Sequence, residues 1–346
     1  MIRMKKLYLF SMLLLTLASC HNGEWHFDDY GTRSVYFAYQ YPVRTITLGE
    51  DPSTDNTLDN QHKCMIKATT GGGYSNPSDI TIGFEVDESL CNNLKFTASG
   101  EDILPMPTEY YTLSDDKLVI PAGSLTGGVE VQLADAFFND PKSLKNTYVI
   151  PIRMTDVQNA DTILQGKPQV DNPNLCIADD WNIAPKNYIL YCIKYINPWH
   201  ATYLRRGKDV ITGLSGHASL NSEIVRHATY VEQDEVCSLK TVSMKQVSYQ
   251  LYVKDESQTN HNYNVILTFD DNNNCTVSTD TPNCTVEGTG KFVSKGEKNS
   301  WGNEDRDAIY LQFNATVDGL ATCATTDTLV VRNRGVVMEL FTPAQK

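Results

Sequence analysis

The sequence predicts an all-β chain: a sandwich of short strands over residues 34–196, then a closed antiparallel barrel over residues 197–346. Three observations carry this. Tyr is abundant, at 18 residues, while runs of Ala, Leu, Glu and Lys are scarce, a balance that favours strands over helices. Apolar residues alternate with a period of two in segment after segment. Clusters of Gly, Pro, Asn and Asp punctuate those segments at short intervals.

In the first unit Val35, Phe37 and Tyr39 alternate with other residues, and Ile80, Ile82, Phe84 and Val86 repeat the pattern. Strands follow at 110–113 and 118–120, then a turn at Pro121-Ala122-Gly123, then strands at 129–133 and 148–154. Short strands at this spacing suggest two antiparallel sheets packed face to face. Between Pro168 and Pro185 the pattern lapses into a loop containing Trp181, and a last strand at 188–195 ends at Asn197-Pro198, the expected boundary.

Beyond it the alternation is cleaner. Val247, Tyr249, Leu251 and Val253 form one apolar stripe, Tyr263, Val265, Leu267 and Phe269 a second, and Ile309, Leu311, Phe313, Ala315 and Val317 a third. Long strands with one apolar face, in about 150 residues, suggest a barrel that removes its own sheet edges. Residues 214–226 offer the one plausible helix and could equally contain a strand, and 329–332 and 336–341 finish the chain.

The N-terminus is read as a targeting segment. Arg3, Lys5 and Lys6 precede an apolar stretch at 7–17, which Leu17-Ala18-Ser19-Cys20 closes. That stretch is too short to cross a hydrocarbon core of ~30 Å as a helix. The cysteine after Leu-Ala-Ser resembles the lipobox of bacterial lipoproteins. The resemblance implies a signal peptide at 1–19, lipidation of Cys20, and a tether at 20–33 that holds the chain on a membrane. His21 stands where an inner-membrane retention Asp is common, which implies the outer membrane. Glu24, Asp28 and Asp29 loosely resemble the acidic export signal of Bacteroides surface lipoproteins and favour display at the cell surface.

With 42 acidic against 29 basic residues the net charge is −13, and no basic stripe is present, so nucleic-acid partners are not expected. Eight cysteines follow Cys20, none in a C-x-x-C pair or at zinc-ligand spacing, and no metal or cofactor is expected. Cys275 and Cys284 flank a turn at Asp280-Thr281-Pro282 and could face each other across a hairpin as a disulfide; otherwise they are small buried apolar residues.

Nucleophile elbows, phosphate loops and His-Glu-x-x-His are absent, and the expectation is a non-catalytic protein. The positive candidates are aromatic, because sugar rings stack their C–H faces on Trp and Tyr. Trp181, Trp199, Tyr203 and Trp301 are the candidate glycan-binding residues, each also able to serve as a plug at a barrel end or a domain seam.

Several segments are recognisable together: Ser34-Val35-Tyr36-Phe37-Ala38-Tyr39, Leu104-Pro105, Tyr110-Tyr111-Thr112-Leu113, Ile120-Pro121-Ala122-Gly123 and Tyr148-Val149-Ile150-Pro151-Ile152. They resemble the Ig-like (Calx-β-like) N-terminal domain of Bacteroides outer-membrane lipoproteins encoded near glycan-uptake systems. Tyr203-Leu204-Arg205-Arg206-Gly207, Trp301-Gly302, Asp305-Arg306-Asp307 and Thr328-Leu329-Val330-Val331-Arg332 resemble the lipocalin-like domain often paired with it. The same N-terminal domain also precedes family 18 glycosidase barrels, but about 150 remaining residues are too few for a (β/α)₈ barrel of ~250.

The resemblance implies a surface glycan-binding lipoprotein that captures oligosaccharide for an outer-membrane importer complex. An adhesion or structural protein with protein partners is the alternative, and a carrier of a small apolar ligand in the barrel is a third.

Overall fold

The structure, a computed structural model, describes residues 31–346; the signal segment, Cys20 and nearly all of the tether lie outside the described residues. The chain is nearly all β, with a sheet-rich first unit and a closed eight-stranded antiparallel barrel after it.

The first unit is a twelve-stranded sheet folded over one apolar core that includes Ile66, Ile82, Ile120, Val131, Ile150 and Ile193. The expected antiparallel pairing is not uniform. Tyr188–Ile196 runs antiparallel to Tyr148–Gln158 but parallel to Pro42–Thr47, and two short pairs are parallel as well. Of the nine residues in Tyr188–Ile196 only Lys194 escapes full burial, because the strand is covered on both faces. Tyr191, Ile193 and Tyr195 enter the main core, whereas Leu190 and Cys192 enter a second cluster with Val149, Phe96 and Phe341. A strand covered on both faces reads as a continuous apolar run, as this one does.

Part of that second cover comes from the C-terminus. Residues 336–341, expected to finish the barrel, instead return to the first unit. Glu339–Leu340 pairs with Pro42 and Val43, and Pro343–Gln345 pairs with Leu94–Phe96. Phe341 supplies the physical reason: its ring packs 5.0 Å from Phe96 and 5.4 Å from Tyr41, burying apolar surface that the barrel exterior would leave wet.

The junction is tight. Arg334 is buried and donates to the carbonyls of His200 (2.7 Å), Asn197 (2.7 Å), Leu48 (3.0 Å) and Glu50 (3.2 Å), so one guanidinium ties the two units together. Gly49, at φ +87°, brings its backbone so close to Pro198 that a Cβ there would lie 2.7 Å from the proline ring.

The barrel strands are Ala201–Gly213, Glu235–Ser243, Gln246–Lys254, Asn260–Phe269, Asn274–Ser278, Cys284–Glu297, Arg306–Val317 and Ala321–Asn333. The last pairs back onto the first, Arg205 opposite Leu329, and closes the cylinder. Val247, Tyr249, Leu251, Val253, Tyr263, Val265, Leu267 and Phe269 are all buried inside it, as their alternation predicts. The 214–226 stretch holds no α-helix: it forms a 3₁₀ turn at Ala218–Leu220 and the strand Ser222–Arg226, which pairs with Ala201–Gly213 outside the closed ring.

Cys275 and Cys284 are unbridged thiols. Register explains this: Cys275 lies opposite Gly290 and Cys284 opposite Val317, so the two are not cross-strand partners. Gly290 is itself required there, since a Cβ would come within 2.9 Å of the Cys275 sulfur and 2.4 Å of Leu311.

Candidate functional site: a polar cavity in the barrel wall

One seam of the barrel is short. Glu235–Ser243 meets Gln246–Lys254 only through Lys240, Thr241 and Ser243, opposite Ser248, Val247 and Gln246. Residues 249–254 pair with Asn260–Phe269 on their other side and have no ladder partner facing the seam. Ser222–Arg226 likewise pairs only with Ala201–Gly213. Between these two open edges lies a cavity of about 480 Å³, within the range of small-molecule sites.

Alternation builds its floor. Successive inward positions on Ala201–Gly213 place Tyr203, Arg205, Asp209 and Ile211 toward the interior, and Asp327 lies inward on the neighbouring strand. Arg205 Nε donates to Asp327 Oδ2 at 2.7 Å, and Arg226 Nη2 to Asp327 Oδ1 at 2.6 Å. Arg226 also forks onto Asp209 through Nη1 and, at 3.1 Å, through Nη2; the Thr325 hydroxyl donates to the same carboxylate at 2.7 Å. The Asp327 side chain is completely buried and that of Arg205 is 5% exposed. Burial alone would lower the pKa of Arg205, but Asp327, Tyr249 and Glu235 together more than offset it and raise it above its ordinary value. A buried pair, Arg205 and Asp327, and a partly buried pair, Arg226 and Asp209, thus hold one another.

Above this quartet the partners thin out. Glu235 is half exposed, with its nearest guanidinium nitrogens at 3.4 Å (Arg205 Nη1) and 3.7 Å (Arg226 Nε). Arg226 Nε is buried and makes no hydrogen bond among the described residues. Tyr263 lines the cavity, is 3% exposed, and has no hydrogen-bond partner for its hydroxyl among the described residues. Burial raises its pKa, so the hydroxyl stays protonated. Ile211, Leu220, Leu251 and Val253 give apolar walls, and Tyr252, 55% exposed, stands at the rim.

The residues expected to bind glycan do not meet here. Trp199 is 6% exposed and stacks on Phe269 at 4.0 Å with an interplanar angle of 6°, plugging the barrel end next to the first unit. Tyr203 is fully buried and donates its hydroxyl to the Trp199 carbonyl at 2.7 Å. Both expectations are corrected: neither side chain presents a face to a ligand.

Trp181 and Trp301 remain partly exposed, but apart. Trp181 belongs to the first unit, its Nε1 donating to Asn174 O at 2.8 Å. Trp301 donates to Val331 O at 3.0 Å, and the Arg306 guanidinium covers its ring at 3.5 Å. Neither lines the cavity.

Sequence reading missed Arg205, Asp209, Arg226, Asp327 and Tyr263 as a group. The signal available was charge at inward positions of strands whose other inward residues are apolar, visible as Tyr203-x-Arg205-x-x-x-Asp209 and Cys323-x-Thr325-x-Asp327.

Comparison with known proteins places the chain beside one close relative. A Bacteroides ovatus protein of unknown function, solved by crystallography at 2.40 Å, is 51% identical and superposes with a TM-score of 0.86 over 91% of this chain and 99% of its own. A second Bacteroides ovatus protein, named for carbohydrate binding, shares 13% identity and superposes with a TM-score of only 0.27 over 89% and 97% of the two chains, too little to transfer fold or ligand. Residues 198–335 match a family described as a domain of unknown function, DUF5627, and residues 28–161 match a family described as an N-terminal domain. No curated protein matches.

Proposed function

Because the chain belongs to the same family as that Bacteroides ovatus protein of unknown function, we propose its role from its own cavity: it is a non-catalytic binding protein that takes a saccharide in the barrel seam. The observation that carries this is the juxtaposition, in one cavity of about 480 Å³, of an aromatic rim (Tyr252) with unspent polar groups (Arg226 Nε, Tyr263 hydroxyl, Glu235). Sugars present both kinds of surface at once, apolar C–H faces and fixed hydroxyls. A wholly apolar ligand fits less well, because it would strip water from Glu235 and Arg226 without replacing it.

Non-catalysis is supported by the state of the carboxylates. Glycoside hydrolysis calls for two carboxyl groups flanking one bond. Here Asp209 and Asp327 are occupied by guanidinium groups, and Asp255 by His261 and the Thr259 N–H, which leaves Glu235 as the loosely held one. With the lipid anchor expected at Cys20, the protein would hold its ligand at the outer membrane, on the cell surface, where an importer complex could take it over.

A glycan array of the protein beside three variants tests the reading. Leu251→Trp, which fills the cavity, is expected to abolish binding, whereas Trp181→Ala and Trp301→Ala are expected to retain it. Tyr252→Ala should weaken it by about tenfold, the worth of one stacking aromatic. Silence across host and plant glycans, or binding that survives Leu251→Trp, would overturn the proposal and favour an adhesion role with protein partners. Release of reducing ends from a bound glycan would overturn its non-catalytic half.

A further inference from the structure

On the premise that the cavity holds a saccharide, we infer that it selects an uncharged ring with adjacent hydroxyls and rejects an acidic sugar. The charge balance is the first reason. Three basic side chains (Arg205, Arg226, Lys254) and three acidic ones (Asp209, Glu235, Asp255) line the cavity, and Asp327 beneath them tips the total to negative.

The second reason is the state of the arginines. Recognition of a carboxylate draws on a free guanidinium fork, two parallel N–H donors facing two oxygens. Arg226 has committed both terminal nitrogens to Asp209 and Asp327, and Arg205 has committed Nε to Asp327 and leans on Glu235 through Nη1. No fork is left over.

Apart from the exposed Lys254 ammonium, which has no ion-pair partner among the described residues, what is left is one donor, one hydroxyl and one acceptor. Among the described residues neither Arg226 Nε nor the Tyr263 hydroxyl has a hydrogen-bond partner, and Glu235 has capacity for a donor better placed than guanidinium nitrogens at 3.4 and 3.7 Å. A sugar hydroxyl both gives and accepts a hydrogen bond, so two neighbouring hydroxyls can receive from Arg226 and Tyr263 while donating to Glu235. A ligand carboxylate can receive from the first two but has nothing to offer Glu235 except like charge. The arrangement therefore discriminates by repulsion as well as by attraction.

Matched pairs of probes test the selectivity: galactose against galacturonate, and glucose against glucuronate, each titrated calorimetrically into the protein at neutral pH. The neutral member of at least one pair is expected to bind, and its acidic counterpart to bind at least about tenfold more weakly, since like-charge juxtaposition costs over a kcal/mol. Glu235→Gln should shrink that ratio to about threefold or less, and Tyr263→Phe should weaken the neutral sugar by about fivefold while leaving thermal unfolding unchanged.

A uronate that binds as well as its neutral counterpart overturns the selectivity and leaves the saccharide reading standing. So does a ratio that Glu235→Gln does not move. Silence from both members of both pairs, together with silence on the glycan array, overturns the saccharide reading itself and this inference with it.

Discussion

At the end of the barrel beside the first unit, the inward positions are Trp199, Ala201, Tyr203, Leu239 and Phe269, packed ring on ring. A few residues along the same strands, the inward positions become Arg205, Asp209 and Asp327, with Arg226 reaching in from the neighbouring hairpin. Backbone geometry is shared, so the difference lies in the side chains and in one ladder. Apolar side chains close their end by excluding water. Ion pairs hold their end in shape without filling it, because each charge must keep its partner at hydrogen-bond distance. The unpaired stretch at 249–254 then leaves the wall open where the polar groups are. A barrel of eight strands is just wide enough for its own side chains or one small ligand, and here the two outcomes occupy opposite ends.

The largest effect expected from testing that contrast is at the plug. Trp199→Ala should cost about 4 kcal/mol of unfolding free energy in urea titration, by lost burial and the hole left against Phe269. Binding in the seam should survive in the fraction that stays folded. Trp199→Phe should cost far less, because the indole N–H has no hydrogen-bond partner among the described residues and its removal leaves nothing there unpaired. A stability unchanged in Trp199→Ala would mean that the ring does not close the barrel.

A smaller loss is expected at the ion pairs under the cavity. Asp327→Asn leaves the shape but removes the charge that Arg205 and Arg226 share, and should cost about 3 kcal/mol. The contrast sharpens in the second readout: this variant should lose ligand as well as stability, since Arg226 is no longer held in place.

Much of this architecture was legible before the structure. The stripes at 247–253, 263–269 and 309–315 point inward as their period requires, since a half-buried strand writes its orientation into alternate residues. Two things were hidden for physical reasons. Pairing partners distant in sequence leave no local mark, so neither the return of Phe341 to Phe96 nor the short ladder beside 249–254 could be read. Buried ion pairs look like surface charge until the partner strand is known: Arg205 and Asp327 stand 122 positions apart. The tryptophans misled in the opposite sense. Trp199 follows Asn197-Pro198 and reads as a loop residue, yet the Asn197 side chain bonds the carbonyls of Ser243 and Gln246 and turns the ring inward.

The last of the three effects separates the ends by pH. His200 sits at the plugged end, where its Nδ1 accepts a hydrogen bond from the Thr241 N–H at 3.0 Å and so must be unprotonated. Burial, with Arg334, Lys240 and Lys194 nearby, pushes its pKa down to about 4 from an ordinary 6.5. Above 6.5 the imidazole is neutral in both folded and unfolded chains and contributes no slope. Between 6.5 and 4 the unfolded chain takes up a proton that the folded chain refuses, so stability falls as the solution is acidified. The loss should reach about 3 kcal/mol at pH 4 and level off below it. Carboxylates also titrate in the lower part of this window, so the measurement is a difference: urea unfolding at half-unit steps from pH 7 to 4, for the protein and for His200→Gln. The expected result is a gap between the two curves that changes by about 3 kcal/mol across that range. Parallel curves would show that His200 titrates alike in both states, and that the plugged end is wetter than its packing implies.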